Sequence, residues 1–132
     1  MTVERVGVSF EPKLLSDFDK MVKKRGYSSR SEAIRDLVRK AIVEDSLKTE
    51  KGNANGTLTF VYEHDHGTLA SKLLHVQHRF HHCISSSTHI HMDKHTCLEV
   101  LVVSGKAKDL RRLENSILSL KGVKHGKMFL TT

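Results

Sequence analysis

The sequence predicts an α+β chain of two units, a β-α-α unit in front of a β-α-β-β-α-β unit. Three observations predict it. Residues 3–10 (VERVGVSF) alternate apolar and polar side chains, the two-residue period of a half-buried strand, and lead into two stretches with helical spacing. Lys48–Gly56 (KTEKGNANG) then breaks every period with polar, Gly and Asn residues, as an interdomain linker does. Beyond it, strand-like and helix-like runs follow one another in the order of the ferredoxin-like plan. The chain has 132 residues, 38% of them hydrophobic and 28% charged, enough for two small globular domains. The expected division is residues 1–48, a linker at 49–56, and residues 57–132.

Each element has its own warrant. In the first strand Val6, Val8 and Phe10 take one face, and Arg5, Gly7 and Ser9 the other. Pro12 opens a helix, where its missing N–H costs nothing. Leu14, Leu15, Phe18, Met21 and Val22 line that helix, Lys23 to Arg25 suit its negative end, and Gly26 stops it. Ser29 and Glu32 form the S-x-x-E pattern of a capping box for a second helix. Its apolar stripe is Ala33, Ile34, Leu37, Val38, Ala41 and Ile42. The rear unit begins with a strand at Thr57–Glu63 and a helix from about Thr68 to His82. Strands at Thr88–Met92 and Thr96–Val103 flank a polar turn at Asp93, Lys94 and His95. Leu110, Leu113, Ile117, Leu118 and Leu120 mark a further helix ended by Gly122, and a last strand covers Val123–Leu130.

Composition narrows the function. No apolar run approaches the roughly 20 residues that span a bilayer, so no membrane role is expected. The start lacks a basic segment followed by an apolar one, and there are only two cysteines, Cys83 and Cys97. Together these point to the reducing cytoplasm, with each Cys a ligand or a buried residue. The net charge of +7 favours anionic partners, nucleic acid first. All ten histidines lie after residue 60. No Cys–His pair with an orienting carboxylate or amide and no phosphate loop stands out, so no enzyme is expected.

The front unit has one strand and no sheet to join, which leaves backbone groups unpaired unless a second copy supplies a strand. A two-fold dimer would turn Val6, Val8 and Phe10 toward the helices and present Arg5, Gly7 and Ser9 on a two-stranded ribbon of the width of the DNA major groove. Ser29, Arg30 and Ser31, at a helix N-terminus, would bind phosphate. The competing reading is that Arg5 and Ser9 merely solvate a dimerisation strand. Glu32 and Asp36, one turn apart, could share a hard cation or be ordinary surface charge.

In the rear unit His89 and His91 share a strand face. If the hairpin pairs His91 with Cys97, six residues on, then His89 faces Glu99 and three metal ligands form one patch. Ile90, Met92, Leu98, Val100 and Val102 are then expected on the other face, against the helices. The helix at 68–82 carries Leu69, Leu73, Val76 and Phe80 on its core side and Ser71, His75, His78 and His82 opposite. These histidines could complete a site only on a neighbouring subunit. Zn(II) suits three His and one Cys in a tetrahedron, and Ni(II) or Cu(II) suits a planar set; spacing alone leaves the choice open. His64, His66, His81 and His95 read as solvated. An amino acid held between ferredoxin-like domains is an alternative effector.

Several segments resemble the nickel-responsive transcriptional regulators of bacteria and archaea: RGYSSRSEAIRDLVR at Arg25–Arg39, VYEH at Val61–His64, Gln77–His78, HIHMDKHTCLEV at His89–Val100 and LKGVKHGK at Leu120–Lys127. The resemblance covers nearly the whole chain. It implies a ribbon–helix–helix domain followed by a ferredoxin-like (ACT-like) regulatory domain, assembled as a homotetramer, a dimer of dimers on a palindromic DNA operator. It also implies one Ni(II) per chain in a planar site, held by His89, His91 and Cys97 of one chain and His78 of another. Tyr62, His64 and Glu99 would be supporting residues around that site. Glu32 and Asp36 fall where the family holds a second, hard cation such as K(I). The implied role is repression of nickel-uptake genes. The chain departs from the family at Gly7, where a hydroxyl residue is common, and at Phe80 and Cys83.

Overall fold

The computed structural model describes residues 2–48 and 50–132; Met1 and Thr49, the first residue of the expected linker, lie outside the described residues. The chain divides into two compact units, 1–42 and 43–132. Among the described residues no helix is long and apolar enough to cross a membrane.

In the first unit, residues 2–11 have no regular secondary structure, although a strand is expected at 3–10. The reason is the one that demanded a partner: a single chain offers these residues no ladder to join. Val6 and Val8, expected inward, are 82% and 64% exposed. Helix α1 spans Pro12–Lys24, with Pro12 in its first turn. Phe10 lies flat against Phe18, ring centroids 5.8 Å apart, and so anchors the segment to α1. Helix α2 spans Arg30–Lys48. Ser29 caps it as expected, its Oγ accepting the Glu32 N–H at 3.1 Å. The Glu32 side chain accepts a hydrogen bond from Ser28 Oγ instead of closing the box.

The second unit begins within α2, whose Leu47 belongs to its core. Strand β1 covers Asn53–Glu63, so residues 53–56 of the expected linker are strand. Helix α3 (Leu69–Arg79) is followed by a 3₁₀ turn at His81–Cys83, strand β2 (Ile84–His91), strand β3 (Thr96–Lys106), helix α4 (Ala107–Leu118) and strand β4 (Val123–Thr131). The sheet order is β2-β3-β1-β4, antiparallel throughout, which is the ferredoxin-like arrangement. Leu58 and Phe60 of β1, Leu101 and Val103 of β3 and Met128 and Leu130 of β4 are buried with Leu69, Leu73 and Val76 of α3 and Leu110, Leu113 and Ile117 of α4.

One expectation about the faces is wrong. On β3, from Cys97 onward, the buried positions are Cys97, Glu99, Leu101 and Val103, while Leu98 and Val100 are half-buried and Val102 is exposed. Cys97 therefore shares the helix-bearing face, and the apolar row of Ile90, Met92, Leu98, Val100 and Val102 lies on the open one. The error has a physical cause: both faces of β3 are apolar, so hydrophobicity alone does not tell inside from outside.

Gly56 allows β1 and β4 to approach. A Cβ there would stand 1.9 Å from the Phe129 carbonyl oxygen on the paired strand. Gly56→Ala is expected to destabilise the rear unit by roughly 1–3 kcal/mol, the usual cost of forced overpacking, read as a lower urea midpoint; an unchanged midpoint would contradict this packing.

Candidate metal centre and nucleic-acid interface

The β2–β3 ladder pairs His91 with Cys97 and His89 with Glu99, and β1 adds Tyr62 beside Cys97. Cross-strand neighbours share a face, so these five side chains form one patch. His91 Nδ1 lies 3.4 Å from Cys97 Sγ, and the rings of His89 and His91 are 5.2 Å apart. Because β2 is an edge strand, its histidines are exposed while Cys97 and Glu99 are buried.

Glu99 is a carboxylate held in the interior by three donors. Gln77 Nε2 reaches it at 2.9 Å, Ser87 Oγ at 3.1 Å and Tyr62 Oη at 3.3 Å. Tyr62 Oη is also 3.3 Å from His89 Nε2. The carboxylate shapes the patch electrostatically. Burial first, then the negative charges of Glu99 and Asp93, push the Cys97 thiol up, against a hydrogen bond from Tyr62. Burial and the same Glu99 charge push the Tyr62 phenol up.

His64, expected near the site, reaches it within one chain. His64, His91 and Cys97 bring ligand atoms within 4.8 Å of one another. The rings of His64 and His91 meet edge to face at 5.8 Å, and His64 Nε2 donates to the Lys94 carbonyl at 2.5 Å. Around it the β2–β3 turn is tied down. Asp93 Oδ1 accepts the N–H groups of His95 and Thr96 at 2.8 Å, and His95 Nδ1 donates to Asp65 at 2.6 Å. The Asp65 carboxylate raises the His95 imidazole, which in turn holds the Asp65 carboxyl below its ordinary range. His95 is exposed, as the sequence reads, and also paired with Asp65.

His78 is not brought to the patch. It lies exposed on α3, its ring stacked on His81 at 6.0 Å. The sequence argument placed the patch on the sheet face away from α3, whereas patch and helix share a face. What keeps His78 apart is the outward stripe of α3, where His75 and His78 are exposed and Leu69, Leu73 and Val76 are buried. Gln77 and Ser87 are the partners that sequence reasoning missed in this role; their neighbourhood to Glu99 follows only from the folded register. His82, Cys83 and Asp109 form a second group; Cys83 and the extra histidines at this helix end stand out in the sequence as able to bind surplus metal weakly, but Asp109, 26 positions on, does not.

In the front unit Arg5, Gly7 and Ser9 are exposed. Ser29, Arg30 and Ser31 stand exposed at the start of α2, but the Arg30 guanidinium grips Asp19 in a two-pronged pair, both contacts 2.8 Å. Glu32 and Asp36 each have local partners. Ser28 serves Glu32, while Tyr27 Oη and Lys40, at 3.1 Å, serve Asp36.

These features describe a two-part chain, a helical front unit led by an extended segment and a ferredoxin-like rear unit that carries a cluster of candidate ligands. Residues 4–45 match the ribbon–helix–helix protein, copG family, and residues 55–131 match the NikR C terminal nickel binding domain. Three relatives assigned as nickel-responsive regulators match nearly end to end. That of Pyrococcus furiosus is 46% identical over all of this chain and 96% of its own. That of Geobacter sulfurreducens is 48% identical over 97% of this chain and 92% of its own. That of Caldanaerobacter subterraneus is 45% identical over 98% of this chain and 84% of its own. The chain belongs to the NikR family of nickel-responsive regulators, and it is a regulator and not an enzyme. An uncharacterized protein of Thermotoga maritima, 17% identical, shares the fold over 61% of this chain and all of its own, with a TM-score of 0.56.

Glu99→Gln removes the negative neighbour of Cys97. In a Cys83→Ser background, the Cys97 thiolate absorbance near 240 nm is expected to appear at lower pH in Glu99→Gln than with Glu99 present. An unmoved titration would show that Glu99 does not act on the thiol.

Proposed function

We propose that this protein is a cytoplasmic repressor of nickel-uptake genes that binds a palindromic operator when Ni(II) is bound. The observation that carries the reading is the hairpin register, which sets two imidazoles and a thiol on one patch at the edge of the sheet. The donor set fits nickel: imidazole nitrogens with a thiolate, the buried carboxylate of Glu99 behind them, and Tyr62 and His64 to orient the ligands. His89, His91 and Cys97 of one chain and His78 of another would hold one ion per chain. Bound nickel would supply bonds that tie chains together.

The rest falls to the chain itself. Val6, Val8, Val38 and Ile42 are exposed apolar residues of the front unit, and only Val22 and Ala33 are buried among its described residues. A second copy, pairing strands through residues 3–10, would cover them and place Arg5, Gly7 and Ser9 in the major groove. In the rear unit the open sheet face, with Ile90, Met92, Val102 and Phe129 exposed, supports a further association, giving a dimer of dimers. A hard cation at Glu32 and Asp36 would have to displace Tyr27 and Lys40 from Asp36. The same nitrogen and sulfur donors also accept Zn(II) or Cu(II), and Cu(II) binds such a site most tightly whatever its role, so the discriminating readout is which ion switches operator binding.

The test is an absorption titration of the metal-free Cys83→Ser protein, in which Cys97 is the one thiol, with Ni(II), paired with gel shifts on a palindromic operator. Thiolate-to-nickel bands saturating at one ion per chain, with DNA binding only in the loaded form, are expected. Cys97→Ala should lose both; nickel-dependent DNA binding in Cys97→Ala would sink the proposal. The Cys97 thiol, pushed up by burial, holds its proton at neutral pH. Binding must release that proton, so nickel affinity should rise about tenfold per pH unit while the thiol is protonated and fall as pH drops. A pH-independent affinity would exclude the thiol as ligand.

Asp19→Asn should free Arg30 for a DNA phosphate. Operator binding should tighten and the slope of log affinity against log salt should steepen by about one. An unchanged slope would remove Arg30 from the backbone contacts.

A further inference from the structure

The junction of α3 and α4 gathers three ligating side chains that the nickel patch does not use. Cys83 closes the 3₁₀ turn after α3, His82 precedes it, and Asp109 lies in the first turn of α4. Their imidazole nitrogen, sulfur and carboxylate oxygen all lie within 4.8 Å of one another. His82 Nε2 is 3.9 Å from Asp109 Oδ2, while the other carboxylate oxygen faces Arg112 Nη1 at 4.0 Å. Cys83 is 2% exposed. The backbone turns over its sulfur at Gly105, where φ is +150° and a Cβ would stand 3.4 Å from Sγ.

We propose that His82, Cys83 and Asp109 form a second metal site, for a divalent ion of borderline softness such as Zn(II). The chemistry of the donors selects the ion. One thiolate, one imidazole and one carboxylate are the ligand types zinc takes, and a solvent molecule would fill the fourth position. The spacing fits. Donors about 2.0–2.3 Å from one tetrahedral ion stand about 3.3–3.8 Å apart; His82 Nε2 and Asp109 Oδ2 are already at 3.9 Å, and the three donors must close by no more than about 1.5 Å. Access fits too: the His82 and Asp109 side chains are 58% and 29% exposed, so an ion can arrive from solvent and meet the sulfur at the floor of the cluster. Burial, and then the charge of Asp109, raise the Cys83 thiol, so the ion would take the place of its proton. A filled site would clip the C-terminal end of α3 to the N-terminal turn of α4.

The chain has two cysteines, so a thiolate–metal band in Cys97→Ala can come only from Cys83. Reduced, full-length Cys97→Ala is titrated with Co(II), the spectroscopic stand-in for Zn(II). A near-ultraviolet thiolate-to-cobalt band is expected to saturate at one ion per chain and to be displaced by Zn(II). It should vanish when Cys83→Ser is added. Loss of an outer partner of a metal ligand commonly costs about 10–100-fold in affinity, so losing a direct ligand in Asp109→Asn should weaken binding by at least that range. Circular dichroism checks that each variant is folded. A folded, reduced Cys97→Ala protein without the band overturns the proposal, as does a band indifferent to both Asp109→Asn and His82→Asn.

Discussion

The pairing of His91 with Cys97 across the β2–β3 ladder is the constraint on which the rest of the rear unit depends. A pleated sheet sends alternate side chains to opposite faces, so this one register also assigns Glu99, Leu101 and Val103 to the helix side. The hydrophobic core and the metal patch are consecutive stretches of the same strand face. Leu101 and Val103 fill the space under α3 and α4, and Cys97 and Glu99 continue the row to where the helices no longer cover the edge strand. The core thereby positions these side chains, and the carboxylate held by Gln77, Ser87 and Tyr62 sets the field they feel.

A single chain leaves both units partly built. The front unit has its strand residues without a ladder and its apolar stripe in contact with water. The rear unit has an apolar open sheet face and leaves His78 exposed on α3, outside the patch. Each gap is of a kind that a second copy closes, by strand pairing in one place and by burial or a shared ion in the other.

The parts of this molecule that were legible in the sequence are those fixed by short-range spacing. The capping serine Ser29, the order of elements and the cross-strand pairs of His89 and His91 all follow from periods of two and 3.6 residues. The faces of β3 were not legible, because Leu98, Val100 and Val102 are as apolar as Leu101 and Val103. The partners of Glu99 were not legible either, since Ser87 and Gln77 meet it only after three elements have packed. His95 reads as a solvated histidine because nothing local announces Asp65, 30 residues earlier. The start of β1 at Asn53 defied composition: the Asn and Gly of residues 53–56 signal a loop, yet pairing with β3 and β4 makes them strand.

The turn between β2 and β3 bears on how such a gene can change. Asp93 holds it closed through the N–H groups of His95 and Thr96, and the loop after β1 clamps it through His64 and Asp65. Surface turns ordinarily tolerate insertions and deletions freely. This one is less free: a slip of the β3 register by one residue would turn the thiol and Glu99 outward and carry Leu98 and Val100 inward, and an insertion here would break the contacts of Asp93, His64 and Asp65 that keep the hairpin ends in place.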